Sequence, residues 1–194
     1  MSNNPSDKLL VDRVLCGDTR AFGIIIKNTE NLVAQIVFKM IPVAEDRKDI
    51  AQDIYMKTFH SLTGFKFQSK LSTWIAQIAY NACLSWIERK KPILPGNLQE
   101  EQDIESGNIE TNWLGNEPET RLSQKELGGI LRKEIELLPP VYQTLIILYH
   151  REELNYEELS QITGLPAGTV KSYLFRARKK LKENLLSKYK KEAL

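Results

Sequence analysis

The chain has 194 residues, of which 42% are hydrophobic and 27% are charged, a mixture typical of one or two globular domains. No apolar run approaches the ~20 residues that cross a bilayer, and the polar first eight residues do not form a secretory signal. We therefore expect a soluble, cytoplasmic protein with no direct membrane insertion. The two cysteines, Cys16 and Cys83, lie far apart in sequence, which argues against a disulfide framework and a zinc site.

Charge divides the chain into three parts. Residues 1–92 carry a net charge of +4, residues 93–120 a net −7, and residues 121–194 a net +5. The middle part contains prolines and glycines but no apolar periodicity, which is typical of a linker. We therefore predict two domains, 1–92 and 122–194, joined by an acidic flexible linker at 93–121. The two basic parts indicate a polyanionic partner.

The first domain is predicted to be helical throughout. Apolar residues recur with helical period at residues 32–40, 50–62 and 71–86, and no stretch alternates as a half-buried strand would. Pro42, Gly64 and Pro92 follow these three segments and indicate where the helices end. An all-α fold of two small helical domains follows.

The second of these predicted helices has an acid-rich face. Asp49, Gln52, Asp53 and Met56 recur at helical spacing on the side opposite the apolar residues. Carboxylates around a methionine suit the docking of a basic partner helix, although a solvated helix face has the same pattern. No histidine or third ligand joins the two carboxylates, so neither a metal site nor acid–base catalysis is expected.

Between the second and third predicted helices lies a loop of aromatic, lysine and hydroxyl residues, numbers 65–74. Such a loop suits the stacking of unpaired bases beside a phosphate backbone. The aromatic residues Phe65, Phe67 and Trp74 have an alternative use, which is to fill the core of the domain.

In the second domain, residues 155–181 have the pattern of a helix, a tight turn and a second helix. Asn155 and Glu158 have the spacing of a capping box, Gly164 suits the turn, and Pro166 suits a helix start.

The second helix of this pair has an apolar stripe and an opposite basic face. The stripe consists of Val170, Leu174, Ala177 and Leu181. Lysine and arginine pair with phosphates or guanine edges, and phenylalanine contacts thymine methyl groups, so this helix is predicted to read a DNA major groove. The opposite face carries Gly168, Lys171, Ser172, Phe175, Arg176, Lys179 and Lys182.

Taken in order, these motifs resemble the extracytoplasmic-function (ECF) group of bacterial RNA polymerase sigma factors, within the sigma-70 superfamily. Residues 17–22 look like the opening motif of the family, residues 46–59 are similar to region 2.2, and residues 72–81 are similar to regions 2.3–2.4. Residues 138–140 open a resemblance to region 4 that continues through residues 168–178.

The resemblance implies a role in transcription initiation without catalysis or a cofactor. Region 2 would bind the clamp helices of the largest subunit of core RNA polymerase through Asp49, Gln52, Asp53 and Met56. The same region would capture the −10 element of promoter DNA and help to melt it through Lys66, Phe67, Gln68, Ser69, Lys70, Ser72 and Asn81.

For the second domain, the resemblance implies that region 4 contacts the flap of the second-largest subunit and reads the −35 element. The implied DNA contacts are Gly168, Thr169, Lys171, Ser172, Phe175, Arg176 and Lys179. The acidic linker would thread the RNA-exit path, and an anti-sigma factor is the expected antagonist. The sequence departs from the family pattern at Tyr80 and Tyr173, where arginine is frequent.

Three other functions fit parts of the sequence. A helix-turn-helix repressor or activator would bind a palindrome as a dimer, but leaves the N-terminal half unexplained. A nucleic-acid-processing enzyme would need a metal cluster or an activated nucleophile, which the sequence does not show. An adaptor would bind polymerase without contacting DNA.

Overall fold

The computed structural model describes residues 5–90 and 124–189, and the predicted linker at 93–121 lies outside these residues. The described residues form eight α-helices and one 3-10 turn, with no strand among them. This confirms the all-α prediction. None of the helices in the described ranges is long and apolar enough to cross a membrane.

Four helices form the N-terminal domain, and the first was not predicted. They are α1 (Pro5–Leu15), α2 (Thr19–Met40), α3 (Ala44–Ser61) and α4 (Leu71–Lys90), with the 3-10 turn Leu62–Gly64 after α3. Helix α1 packs against α2, and its Asp7 carboxylate accepts a hydrogen bond from the Leu71 amide at 3.4 Å. Helix α1 therefore helps to fix the start of α4.

Helix α2 begins well before the predicted apolar stripe because Asp18 caps it. The Asp18 carboxylate accepts hydrogen bonds from the Arg20 and Ala21 amides at 2.9 and 3.2 Å. It also pairs with Arg13 at 2.6 Å, and the hydrogen bond from Arg13 is the main cause that lowers the pKa of Asp18. A strong cap and its adjoining ion pair fix a helix start that periodicity alone did not show.

The core of this domain lies between α4 and the helices α2 and α3, which pack on it. Helix α4 contributes several wholly buried side chains, including Ile75, Ala76, Ala79 and Cys83. Arg47 fixes the corner between α2 and α3, since it donates to the carbonyl oxygens of Ile41 at 2.8 Å and Pro42 at 3.1 Å.

The two cysteines are expected to react at very different rates. Burial raises the pKa of the Cys83 thiol to about 12, whereas Cys16 is exposed after the end of α1. Because the thiolate is the reactive form, titration of the native protein with dithionitrobenzoate should modify one thiol rapidly. The second thiol should react only when denaturant is added, and two rapid phases in the native protein would contradict the buried position of Cys83.

Helices α5 (Gln124–Glu136), α6 (Pro140–His150), α7 (Tyr156–Thr163) and α8 (Ala167–Tyr189) form the C-terminal domain. The predicted capping box is confirmed: Asn155 accepts from the Glu158 amide at 2.9 Å, and Glu158 accepts from the Asn155 amide at 3.0 Å. Gly164 ends α7 with φ of 72°, a left-handed conformation that glycine adopts easily.

The two domains pack against each other. Helix α4 contacts α7 and helix α2 contacts α6, and the buried apolar residues of both domains belong to one continuous cluster. This arrangement brings the loop between α3 and α4 close to the helix-turn-helix.

Candidate functional site

The acid-rich face of α3 is exposed as the spacing predicts. Asp49, Gln52, Asp53 and Met56 all lie at the surface. Phe59, one turn further along α3, is 40% exposed and packs edge-on against Phe22 with ring centroids 5.0 Å apart. The face therefore combines carboxylates with an apolar border that the sequence analysis missed. No group of three or more metal-ligating side chains gathers within residues 5–90 or 124–189.

The loop between α3 and α4 borders a cavity of about 280 Å³. Of the residues expected to contact the −10 element, Lys66, Gln68 and Ser69 line this cavity. Its volume is sufficient for one nucleobase, and its lining is largely polar. The remaining lining residues are Gly64, Phe65, Thr73, Trp74, Gln77 and Gln161, and of these Gly64, Gln77 and Gln161 lie outside the loop 65–74 that was predicted to contact unpaired bases.

The aromatic residues of the loop differ in burial. Phe65 is buried, and its ring centroid lies 4.7 Å from that of Phe67 and 5.0 Å from that of Trp74. Phe67 and Trp74 are half-buried, so each keeps an accessible edge. Phe65 thus belongs to the core, while the other two rings extend it towards the surface.

The other predicted −10 residues lie at the border of the cavity or beyond it. Lys70 and Ser72 flank the start of α4 without lining the cavity. Asn81 is exposed and lies about 6 Å, or one helical turn, beyond the cavity-lining Gln77 on the same side of α4. It is therefore close to the cavity without lining it.

Helix α8 presents the predicted basic face. Its apolar stripe is confirmed, since Val170, Leu174 and Ala177 are fully buried and Leu181 nearly so. The opposite face has exposed and half-buried members. Gly168, Lys171, Ser172, Phe175 and Lys179 are exposed, whereas Thr169 and Arg176 are half-buried.

The turn before α8 is held by side-chain hydrogen bonds. The Ser160 hydroxyl donates to the Leu165 carbonyl at 2.6 Å, and the Leu165 amide donates to the Thr163 hydroxyl at 3.3 Å. These bonds fix the direction in which α8 leaves the turn. Phe175 is 44% exposed on the resulting outer face.

An apolar groove of about 550 Å³ lies between α5, α6 and α8. The groove was not predicted, although Leu127 and Leu131 lie one turn apart on α5 and are both exposed. Cationic side chains and a histidine stand at its rim: His150, Arg151, Arg178 and Lys182. The walls are Leu131, Ile135, Ile146, Ile147, Leu181, Leu185 and Leu186.

The rim histidine is expected to make the stability of this domain depend on pH. Arg178 donates to His150 Nε2 at 3.3 Å, so His150 is neutral in the fold. Burial, followed by the positive charge of Arg178, lowers the pKa of His150. The unfolded chain, with an ordinary pKa near ~6.5, binds the proton first as pH falls.

The free energy of unfolding of the C-terminal domain should therefore fall as pH drops from ~6.5 towards the lowered pKa. Thermal melts of wild type and His150→Gln between about pH 7.5 and 5 measure this. A wild-type melting temperature that follows that of the variant at every pH would contradict the contact.

Family models and known proteins match both domains. Residues 25–93 match the model for sigma-70 region 2, and residues 129–181 match the model for sigma-70 region 4. The ECF RNA polymerase sigma-E factor of Escherichia coli strain K12 is 33% identical over 181 residues, which cover 92% of this chain and 93% of that protein.

Two solved structures have a similar fold. CnrH in complex with the cytosolic domain of CnrY superposes with a TM-score of 0.64 at 18% identity, over 94% of this chain and 99% of that one. The sigma factor RpoE in complex with the anti-sigma factor NepR, from Bartonella quintana, has a TM-score of 0.59 at 23% identity, over 87% and 98%.

The order of the two matched regions, the exposed basic face on α8 and the near-complete alignment with a curated sigma factor agree with one another. The chain therefore belongs to the ECF group of the sigma-70 family of RNA polymerase sigma factors.

Proposed function

We propose a division of labour between two domains, with region 2 at residues 1–92, region 4 at residues 122–194 and an acidic linker at 93–121. As a member of its family the protein is a non-enzymatic factor that directs promoter-specific transcription initiation. The observation that carries the division of labour is the presence of two unlike exposed faces, acidic on α3 and basic on α8.

The α3 face is the proposed contact to the clamp helices of the largest polymerase subunit. Asp49 and Asp53 supply negative charge, and Met56 supplies an adaptable apolar centre that is 51% exposed. Phe59 would extend the apolar part of the contact, because interface cores are enriched in aromatic residues.

The loop cavity of region 2 is the proposed receptor for an unpaired base of the −10 element. Gln68 and Gln77 can hydrogen-bond the edge of a base, and the half-buried Trp74 offers a surface for stacking. Lys66 and Lys70 would neutralise neighbouring phosphates.

The outer face of α8 is the proposed reader of the −35 element. Lys171 and Arg176 supply hydrogen bonds to guanine or phosphate, and Phe175 supplies an apolar contact. A dimeric repressor would use α8 on two like half-sites, but it would leave the exposed acid-rich face of α3 without a role.

The apolar groove of region 4 is the proposed contact to the flap of the second-largest subunit. Its cationic rim favours an amphipathic helix with acidic flanks.

Replacing the exposed Leu131 with aspartate should weaken flap docking while leaving clamp binding intact. Transcription that depends on the −35 element should then fall about tenfold in run-off assays, whereas Lys133→Asp on the same helix should change it little. Equal transcription by both variants would argue against flap docking in the groove.

We also propose a cytoplasmic location and control by an anti-sigma factor. The solved complex of the Bartonella quintana sigma factor with NepR supports a protein antagonist of this kind. The sigma factor in that complex has a similar fold over 87% of the present chain, so similar surfaces are available here to a protein antagonist.

The proposed function is tested by gel filtration and run-off transcription with core RNA polymerase of the source bacterium. Co-elution and start-site-specific transcripts from genomic fragments are the expected results. Failure to join core polymerase, together with tight dimeric binding to a palindrome, would favour the repressor instead.

A further inference from the structure

Helix α5, which supplies one wall of the apolar groove, is anchored to the rest of region 4 along its second half. Glu134 is 3% exposed, and its carboxylate lies 2.7 Å from the Lys188 ammonium of α8. Gln143 of α6 donates hydrogen bonds to the carbonyl oxygens of Glu136 at 3.0 Å and Leu138 at 2.7 Å. These contacts, with two different helices, hold the end of α5 in place.

The preceding residues of the same helix, numbers 127–133, are largely exposed. Ile130 is half-buried, whereas each of the others is exposed, including the large side chains of Leu127 at 46% and Leu131 at 44%. Little apolar surface is removed from water when this stretch folds, so tertiary packing contributes little to its stability. The first half of α5 therefore depends mainly on its own helix propensity.

Two adjacent glycines, Gly128 and Gly129, lie in this exposed stretch. A Cβ atom at either position would meet nothing within 4 Å, and neither residue has a positive φ. Neither position therefore requires glycine. Each glycine inside a helix lowers the ratio of folded to unfolded helix about fivefold relative to alanine, or ~1 kcal/mol. The pair lowers that ratio about 25-fold.

The weakened stretch carries a residue that lines the groove. Leu131 and Ile135 form the α5 wall, one turn apart, opposite residues of α6 and α8. Ile135 lies in the anchored half of the helix and Leu131 in the weakened half, so the wall is complete only when both halves are helical. An apolar partner in the groove contacts both residues only in that state, and it therefore binds that state more tightly.

We propose that the first half of α5, residues 124–133, exchanges between helical and unfolded states in the free protein, and that a partner docking in the groove completes the helix. Gly128 and Gly129 set the population of the helical state. They thereby limit the affinity of the groove, because apparent affinity falls in proportion to the binding-competent fraction. The marginal helix is a property of the free chain, whereas its coupling to polymerase rests on the proposed flap contact.

The first test is amide hydrogen exchange in the free full-length protein. The amides of residues 129–133 donate to carbonyl oxygens four residues earlier in a helix, so their exchange reports the first half of α5. Their protection factors should lie below ~10 in wild type, far below those of α6. Gly128→Ala/Gly129→Ala should raise the ratio of folded to unfolded helix about 25-fold. Wild-type protection equal to that of α6 would overturn the proposal.

Variants at two other positions serve as controls. Gly23→Ala on α2 is matched, since Gly23 is also exposed inside a helix with open space around its Cβ position. It should leave exchange in α5 unchanged. Lys133→Gly and Lys133→Ala remove the same exposed charge but differ in helix propensity, so the ratio should be about fivefold lower for the glycine variant. Equal protection in these two variants would overturn helix propensity as the determinant.

The second test measures exchange and affinity with core RNA polymerase. Binding should raise the protection of residues 129–133 in wild type. The gain in affinity of Gly128→Ala/Gly129→Ala should equal the gain in folded fraction that exchange measures in the free protein. The same two changes should give no gain when added to Leu131→Asp, because the groove contact is then already lost.

The outcomes separate this inference from the proposed function. Polymerase binding without added protection of α5, or with an affinity independent of the folded fraction, would overturn the coupling and leave the sigma-factor assignment intact. Absence of polymerase binding by wild type would contradict the proposed function and the coupling with it. Exchange in the free protein decides in either case whether the first half of α5 is marginal.

Discussion

Replacing Asp49, Gln52 and Asp53 together with alanine is expected to abolish co-elution of the protein with core RNA polymerase, and with it every start-site-specific transcript. The three side chains are exposed on one face of α3, so the change removes the charge of the proposed clamp contact. Charge pairs desolvated in an interface contribute several kcal/mol, so affinity should fall at least ~30-fold.

A matched control lies on the neighbouring helix. Lys27, Glu30 and Asn31 of α2 have the same spacing along the helix and are also exposed. Their triple alanine variant should bind polymerase as wild type does. Both variants should unfold within about 0.5 kcal/mol of wild type, because substitutions at exposed helix positions change stability little.

The triple substitution on α3 tests whether this face binds polymerase or only contacts solvent. If the variant joins polymerase with undiminished affinity, the α3 face is only solvated, and the main polymerase contact lies elsewhere. Promoter-specific transcripts would then persist in both triple variants, which run-off assays measure directly.

Local sequence signals predicted the helix-turn-helix well. The capping residues Asn155 and Glu158, the left-handed Gly164 and the buried stripe of α8 all depend on residues close together in the chain. Interactions of this range are encoded by residue type and spacing. The exposed face of α3 was predictable for the same reason, since helical periodicity alone separates it from the core.

Features that join distant segments were not predictable in this way. The apolar groove needs Leu131, Ile147 and Leu186 from three different helices to face one another. The contact between the two domains includes an ion pair between Lys70 and Glu158, 88 positions later in the chain. Neither pairing has a local signature, because only the packing of the helices sets these distances.

The aromatic loop and the two departures from the family pattern show the same limit. Composition allowed both core packing and base stacking for Phe65 and Trp74 and favoured the core more for Trp74, whereas tertiary packing buries Phe65 and leaves Trp74 half-buried. Tyr80 and Tyr173, which stand where arginine is frequent in the family, lie close together across the domain interface. Their sequence positions gave no indication of that proximity.

Reversing the charge of the recognition face, with Lys171→Glu and Arg176→Glu together, is expected to abolish promoter binding by the holoenzyme while leaving polymerase binding intact. Both side chains lie on the outer face of α8, opposite its buried stripe. Loss of two hydrogen-bonded contacts at about 1–3 kcal/mol each should weaken promoter binding at least ~30-fold. Promoters identified by run-off sequencing with wild-type holoenzyme provide the templates.

The dependence of this binding on salt identifies what the two residues contact. Each phosphate contact that is lost should make the plot of log affinity against log salt concentration shallower by ~0.9, whereas a lost base contact lowers affinity without changing the slope. Lys133→Glu, a charge reversal at an exposed position of α5, should alter neither quantity. Unchanged promoter binding by the double variant would favour an adaptor that reaches DNA only through polymerase. Because that outcome leaves co-elution and the α3 triple variant unaffected, the two experiments together distinguish a sigma factor from an adaptor and from a repressor.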